Sequence, residues 1–254
     1  RFTRELPLGE GWHRLILRFN HVLTIGTGVG AISEGGLQLV RGVTLKSDRG
    51  ERFIDNIPAR LLYRIDQFKK GTAALLTAWA AADGTYRALI NCWFADPRAK
   101  FPMDFVIDSA RYSTMTLEIT MGTIADAITT PGTAAVVSTV DIYLERERGA
   151  IPARVRPRSY REIAVRPPVD PNLLTEVIAE RAANLAYLRW YVWAASAPVV
   201  GTPWSGVASD AVISDLQVDH DKGKPFEDDL AAVIAQMNKQ DFNIETAPVG
   251  LLVL

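Results

Sequence analysis

Apolar and polar residues alternate along much of this chain, and the alternation has period two. Leu15, Leu17, Phe19, His21, Leu23 and Ile25 form one face of a long segment, with Arg18, Asn20 and Thr24 opposite. Met115, Leu117 and Ile119 alternate with Thr114, Thr116, Glu118 and Thr120. Val136, Val140, Ile142 and Leu144 alternate with Val137, Thr139, Asp141 and Tyr143, and "RALINCWF" (Arg87–Phe94) is apolar on both faces. Successive side chains of a strand point to opposite sides, so these segments predict strands with one buried face. Many such strands separated by Gly, Pro and Asp turns predict an all-β sandwich rather than a βαβ array.

Two stretches change to helical spacing. Ile57, Leu61, Ile65 and Phe68 share a helical face, with Asp55 placed to cap it and Pro58 suited to its first turn. Leu230, Val233, Ile234 and Met237 share another, behind the acidic run Glu227-Asp228-Asp229, which suits the positive end of a helix dipole.

Both helices lie inside an internal repeat. "LVRGVTLKSDRGERFIDNIPARL" (Leu39–Leu61) aligns without a gap on "VISDLQVDHDKGKPFEDDLAAVI" (Val212–Ile234). Asp48, Gly50, Phe53, Asp55 and Ala59 match Asp221, Gly223, Phe226, Asp228 and Ala232, and Arg49 matches Lys222. Val40, Val43, Leu45, Ile57 and Leu61 fall on the apolar Ile213, Leu216, Val218, Leu230 and Ile234. The same register places "LILRF" (Leu15–Phe19) on "LRWYV" (Leu188–Val192). A strand, a turn of Asp, a basic residue and Gly, and a helix recurring in one register mean that one unit occurs twice. The expected organisation is a first sandwich over 1–147, a linker over 148–170 and a second sandwich over 171–254. After its helix the second copy has only "DFNIETAPVGLLVL", which resembles the strand near Ala88–Phe94. Counterparts of Met115–Thr120 and Val136–Leu144 are missing, so the second copy reads as truncated and the native chain is expected to continue beyond Leu254. The start at Arg1, without Met or a signal peptide, likewise reads as the limit of a longer product.

The glycines of "HVLTIGTGVGAISEGG" (His21–Gly36) suggest a dinucleotide-binding turn, and the context argues against one. Such glycines must open a helix whose N-terminus holds the pyrophosphate. Here Gly35 and Gly36 fall where the helix needs its second turn, at a cost of about 1 kcal/mol each, and the residues beyond alternate like a strand. The stretch is therefore expected to be a variable connecting loop facing solvent or a neighbour. The stretch that joins the copies, Glu145–Pro171, contains Arg146, Arg148, Arg154, Arg156, Arg158, Arg161 and Arg166 among Pro152, Pro157, Pro167 and Pro168. It reads first as an extended solvated segment and second as a basic face for phosphate, lipid headgroups or an acidic neighbour.

The chemistry of the chain is sparse. A net charge of -1 gives no general argument for nucleic acid or an anionic membrane. The longest apolar stretch, Thr72–Ala82, is too short to span a bilayer. One cysteine, Cys92, excludes an intrachain disulfide and suits a small core residue. Of three histidines, His13 and His21 lie on or beside a strand, and His220 sits in "VDHDKG". There Asp219 and Asp221 are weak calcium candidates; the loop lacks the remaining ligands of a calcium site, and its counterpart holds Lys46 in place of Asp219. Ser205 has no recognisable base, and no nucleophile elbow, zinc-protease motif or phosphate loop occurs. No catalytic residue and no cofactor is assigned. Carboxylate pairs of the kind glycosidases use need not be close in sequence, and six tryptophans could stack sugars, although Trp12 and Trp190 flank or occupy equivalent strands, where core packing is expected.

The tandem sandwich copies, the Asp-Arg/Lys-Gly turns followed by short helices, the Pro/Arg linker and the opening "RELPLGEGWHRLILRFNHVLTIG" together resemble double jelly-roll major capsid proteins of tailless icosahedral double-stranded DNA viruses, particularly membrane-containing bacteriophages. The resemblance implies two tandem jelly rolls in a non-enzymatic virion subunit of an icosahedral shell. It implies homotrimers forming pseudo-hexagonal capsomers, which contact neighbouring capsomers, minor capsid proteins and, at the shell base, an internal membrane or its proteins. Sequence-specific nucleic-acid binding is not implied. Arg154, Arg156, Arg158 and Arg161 become interface candidates. Two other readings stand beside it: a tandem sandwich that binds or acts on carbohydrate, and a minor spike or penton protein of a virion.

Overall fold

The computed structural model describes residues 1–70, 75–95, 106–147, 160–161, 191–193, 195–196, 207–209, 215–219, 225–241 and 251–253. The chain divides into two compact units, one built mainly from Arg1–Lys69 and Ala73–Glu162, the other mainly from Ile163–Leu254.

The first unit contains β1 (Phe2–Glu5), β2 (Gly11–Thr24), β3 (Val29–Ala31), α1 (Gly35–Gln38), β4 (Val40–Ser47), β5 (Arg52–Ile57), α2 (Ala59–Lys70), β6 (Gly84–Trp93), β7 (Ile107–Asp108), β8 (Met115–Met121), β9 (Ile128–Thr130), β10 (Ala135–Glu147) and β11 (Tyr160–Arg161). One sheet has the order β1-β8-β4-β5-β11; the other runs β10-β2-β6, with β7 also pairing β2. All pairings are antiparallel except β11 on β5. The fold is all-β, as the alternation requires. Leu15, Leu17, Phe19, His21 and Leu23 of β2 are buried, as are Met115, Leu117 and Ile119 of β8 and Val43 and Leu45 of β4. Each large apolar side chain moved out of water contributes about 1.5–3 kcal/mol, and these rows supply part of that gain. Trp12 and Cys92 are buried core residues as well.

The second unit contains β12 (Tyr191–Trp193), β13 (Ala195–Ser196), β14 (Val207–Ala208), β15 (Asp215–Asp219), β16 (Pro225–Leu230), α3 (Ala231–Asp241) and β17 (Leu251–Val253). It reproduces the repeated strand pair at its turn end. In the first unit Leu45 pairs Ile54 and Lys46 pairs Arg52, with a register break between Leu45 and Lys46. In the second, Val218 pairs Glu227 and Asp219 pairs Pro225, with the break at the equivalent place. β12 pairs β17 antiparallel, as β2 pairs β6, so the final strand occupies the place expected from its likeness to Ala88–Phe94.

Three details differ from the sequence expectations. Asp55 does not cap a helix: it lies in β5 beside Arg52, at 2.5 Å, and α2 starts after Pro58, whose carbonyl accepts from the Leu61 and Leu62 N–H groups. The ladder of β5 with β4 claims the backbone that a cap would need. The helix is also rotated, so Leu62 is buried with Ile65 and Phe68 while Leu61 is only half-buried. Likewise, Glu227-Asp228-Asp229 belongs to β16 rather than to a helix start, and α3 buries Ile234 and Asn238 while Val233 and Met237 are exposed.

His21 is the one imidazole fully enclosed in the described core. Its Nδ1 lies 2.8 Å from Ser138 Oγ, and its ring stacks on Phe19 and meets the edge of Trp79. Burial disfavours the cation and lowers its pKa to about 4. In the unfolded chain the ring takes a proton near pH 6.5, which the fold refuses until about pH 4. Stability from neutral His21 is therefore complete above pH 6.5 and is lost as pH falls toward 4, by about 3 kcal/mol in all. Thermal melts of wild type and His21→Gln across pH 7 to 4 are expected to converge as pH falls; parallel curves would show that the ring does not titrate this way.

Candidate assembly surface

The glycine stretch turns at the end of the sandwich. Gly26 and Gly30 have positive φ angles of 52° and 78°, which glycine adopts without strain. Thr27 and Thr133 tie the two loops together through backbone and hydroxyl hydrogen bonds of 3.0–3.1 Å, and β3 pairs β9. The expectation of a plain connecting loop needs correction at its far end. Gly35 and Gly36 open the one-turn helix α1 and are buried beneath Trp79, whose Nε1 donates to the Ala127 carbonyl at 2.9 Å. A Cβ on Gly35 would stand 2.5 Å from that Nε1. These glycines serve close packing, and the space a phosphate would need is filled by an indole.

Glu34, in the left-handed conformation just before α1, receives Arg60 Nε at 2.6 Å and also pairs with Arg64. Arg60 is nearly fully buried, and burial lowers its pKa against the opposing pull of Glu34. This clamp fixes α2 to the loop end, and the sequence reading missed it. Arg60 and Arg64 are one helical turn apart, which is a visible signal; their partner is distant in sequence and is not. At the equivalent positions the second unit has the exposed Val233 and Met237.

The repeated turn is structural. Gly50, with φ 81°, closes it by donating to the Ser47 carbonyl. Burial acts to raise the Asp48 pKa, but hydrogen bonds including the Ser113 N–H bring it below the ordinary carboxylate value. Asp219 ends β15; Asp221, His220 and Ser205 lie outside the described residues, as do Arg154, Arg156 and Arg158. Arg161 is part of β11, opposite Asp55. Among the described residues no group of three or more His, Cys, Asp or Glu side chains could hold a metal ion.

What stands open is a sheet edge. β10 pairs β2 on one side, and among the described residues no strand pairs its other side. Its inward residues Val140, Ile142 and Leu144 are only half-buried, and with Phe2, Leu6 and Pro7 they line an open groove of about 670 Å³. Its outward face continues onto β2, where Arg18 and Asp141 pair at 2.7 Å and Arg18 lies over the Tyr143 ring. At the other end of this sheet Asn91 and Trp93 both donate to Asp66 of α2, at 2.7 Å each.

The architecture has known counterparts. The fold is shared with a viral capsid protein. The major capsid protein of Sulfolobus turreted icosahedral virus superposes over all of this chain and 79% of its own, with a TM-score of 0.55 at 10% identity. A chain from the atomic structure of that virus matches over all of this chain and 74% of its own, with a TM-score of 0.56 and again 10% identity. No protein-family profile and no curated protein matches the sequence. The likeness extends to both units, which is the double jelly-roll architecture the repeat predicts.

Removing the carboxylate that balances a buried arginine is costly. Glu34→Ala is expected to lower unfolding free energy by about 3 kcal/mol, measured by chemical denaturation. Gly35→Ala is expected to cost about 1–3 kcal/mol through overpacking against Trp79; a neutral result at either site would contradict the packing described for this loop end.

Proposed function

We propose that this protein is a structural virion subunit, the major capsid protein of an icosahedral virus, located in the capsid shell. The observation that carries the reading is the likeness of all of this chain to 79% of a viral major capsid protein, in a chain whose own repeat gives the same strand pair twice. The subunit forms homotrimers whose six sandwiches make a pseudo-hexagonal capsomer, and capsomers meet one another and minor capsid proteins. Its work is the burial of complementary surfaces, with no catalytic step and no cofactor. Arg154, Arg156, Arg158 and Arg161 are candidates for contact with an acidic neighbour or with headgroups of an internal membrane. The similar structures come from a virus of Sulfolobus, so a bacteriophage origin rests on the sequence resemblance alone.

The carbohydrate reading calls for aromatic platforms open to solvent. Among the tryptophans whose side chains are described, Trp12 and Trp93 are buried and Trp79 is packed against Gly35 and His21, while Tyr143 is an exposed aromatic ring. Light scattering coupled to size-exclusion chromatography is expected to give a trimer; a monomer that binds glycans would overturn the assignment.

A further inference from the structure

We infer that β10 and the adjoining outer face of the β10-β2-β6 sheet are a contact surface for a second copy of this chain. The inference rests on the capsid reading and deepens it by naming the surface.

A sheet with one face in the core ordinarily keeps the other polar. Here the outer face carries Val137, 67% exposed, directly opposite Val22, 48% exposed. Tyr143, 47% exposed, stands opposite Ile16, and Leu75, 56% exposed, adjoins Leu89 through the hydrogen bond from the Leu89 N–H. The exposed apolar residues of the first unit are thus concentrated on one sheet face, Val29 of β3 excepted.

The edge gives an independent argument. Long edge strands are normally protected by proline, lysine or bulges, because open N–H and C=O groups recruit other strands. β10 is 13 residues long and has neither proline nor lysine, and its one irregularity comes near its end, between Glu145 and Arg146. From Ala135 to Tyr143 its only charge is Asp141, which Arg18 neutralises within the same face. An edge so unprotected is made to be covered by protein.

Charge and area select the occupant. Arg18 with Asp141 and Arg14 with Glu145 are paired within the face, which leaves Arg87, opposite Asn20, as a further positive charge; the apolar residues then supply the main contact, as suits another face of the same kind. From Ile16 to Thr24 the strands run about 27 Å, and the three strands span about 14 Å, giving on the order of 400 Å² in projection with the short 75–77 segment added. The β10 edge and the half-covered Val140, Ile142 and Leu144 extend this toward the ~800 Å² per partner typical of a specific interface. In a shell of identical subunits, the neighbour available to every copy is another copy.

The test uses the full chain and measures oligomer mass against concentration. Val22→Lys/Val137→Lys is expected to raise the dissociation midpoint at least tenfold while the thermal melt stays that of wild type. Val29→Lys, exposed but off this face, is expected to leave assembly unchanged. Should the lysine pair fail to fold, Val22→Thr/Val137→Thr preserves shape and strand preference and is expected to weaken assembly several-fold. A wild-type oligomer that these changes leave within twofold of its normal midpoint overturns the surface and spares the capsid reading. A wild type that stays monomeric at every concentration overturns both.

Discussion

The first unit depends on one strand. β2 is 14 residues long and is paired along nearly its whole length on both sides, by β10 and by β6. That double pairing satisfies its backbone and leaves register as the decisive constraint. A slip of one residue would turn Leu15, Leu17, Phe19, His21 and Leu23 out of the core and put Arg18 and Asn20 in. The same register sets the loop end, because it places His21 against Trp79 and so fixes where α1 can lie. It also sets the outer face, because each residue facing solvent on β10 is determined by its partner on β2.

The two units show how one backbone plan accepts different chemistry. The strand pair that leads into the helix keeps the register break beside its turn, while the first copy has a second break, between Val43 and Leu45, that the second copy lacks. The helix surface is not: the first copy uses two arginines and a glutamate, while the second has Val233 and Met237 at the matching positions. Strand pairing is a backbone property and tolerates such exchange. What a helix face meets is a side-chain property, and each copy meets it differently.

Legibility in the sequence followed the same division. Period-two alternation located β2, β8 and β10, a run apolar on both faces located β6, and the ungapped repeat gave the tandem architecture, because these signals are carried by local spacing. Helix starts were misread at Asp55 and at Glu227-Asp228-Asp229 because an acidic residue before an apolar run suits a cap and also tolerates a strand; pairing with a distant strand decided between them. The spacing of Gly35 and Gly36 argues against a nucleotide loop. Their role beneath Trp79 depends on a contact across the fold that no local pattern encodes. The candidate surface was partly visible, since Val137 and Tyr143 occupy positions that ought to be polar. Its exposure could be known only once β10 was seen at a sheet edge.

On the proposed capsid reading, function resides in surfaces rather than in a cluster of reactive groups, and ionic contacts such as Arg18 with Asp141 and Arg60 with Glu34 tie strand to strand and loop to helix. Arg1 and Lys46 both pair with Glu118 and depress its pKa, holding β1, β8 and β4 in line. The most direct test of this account is electron cryomicroscopy of particles from the native source. The account predicts a shell built from paired sandwiches into which this chain fits, with β10 of each subunit against a neighbouring copy. A shell made of a different protein, with this chain absent from it, would contradict the account.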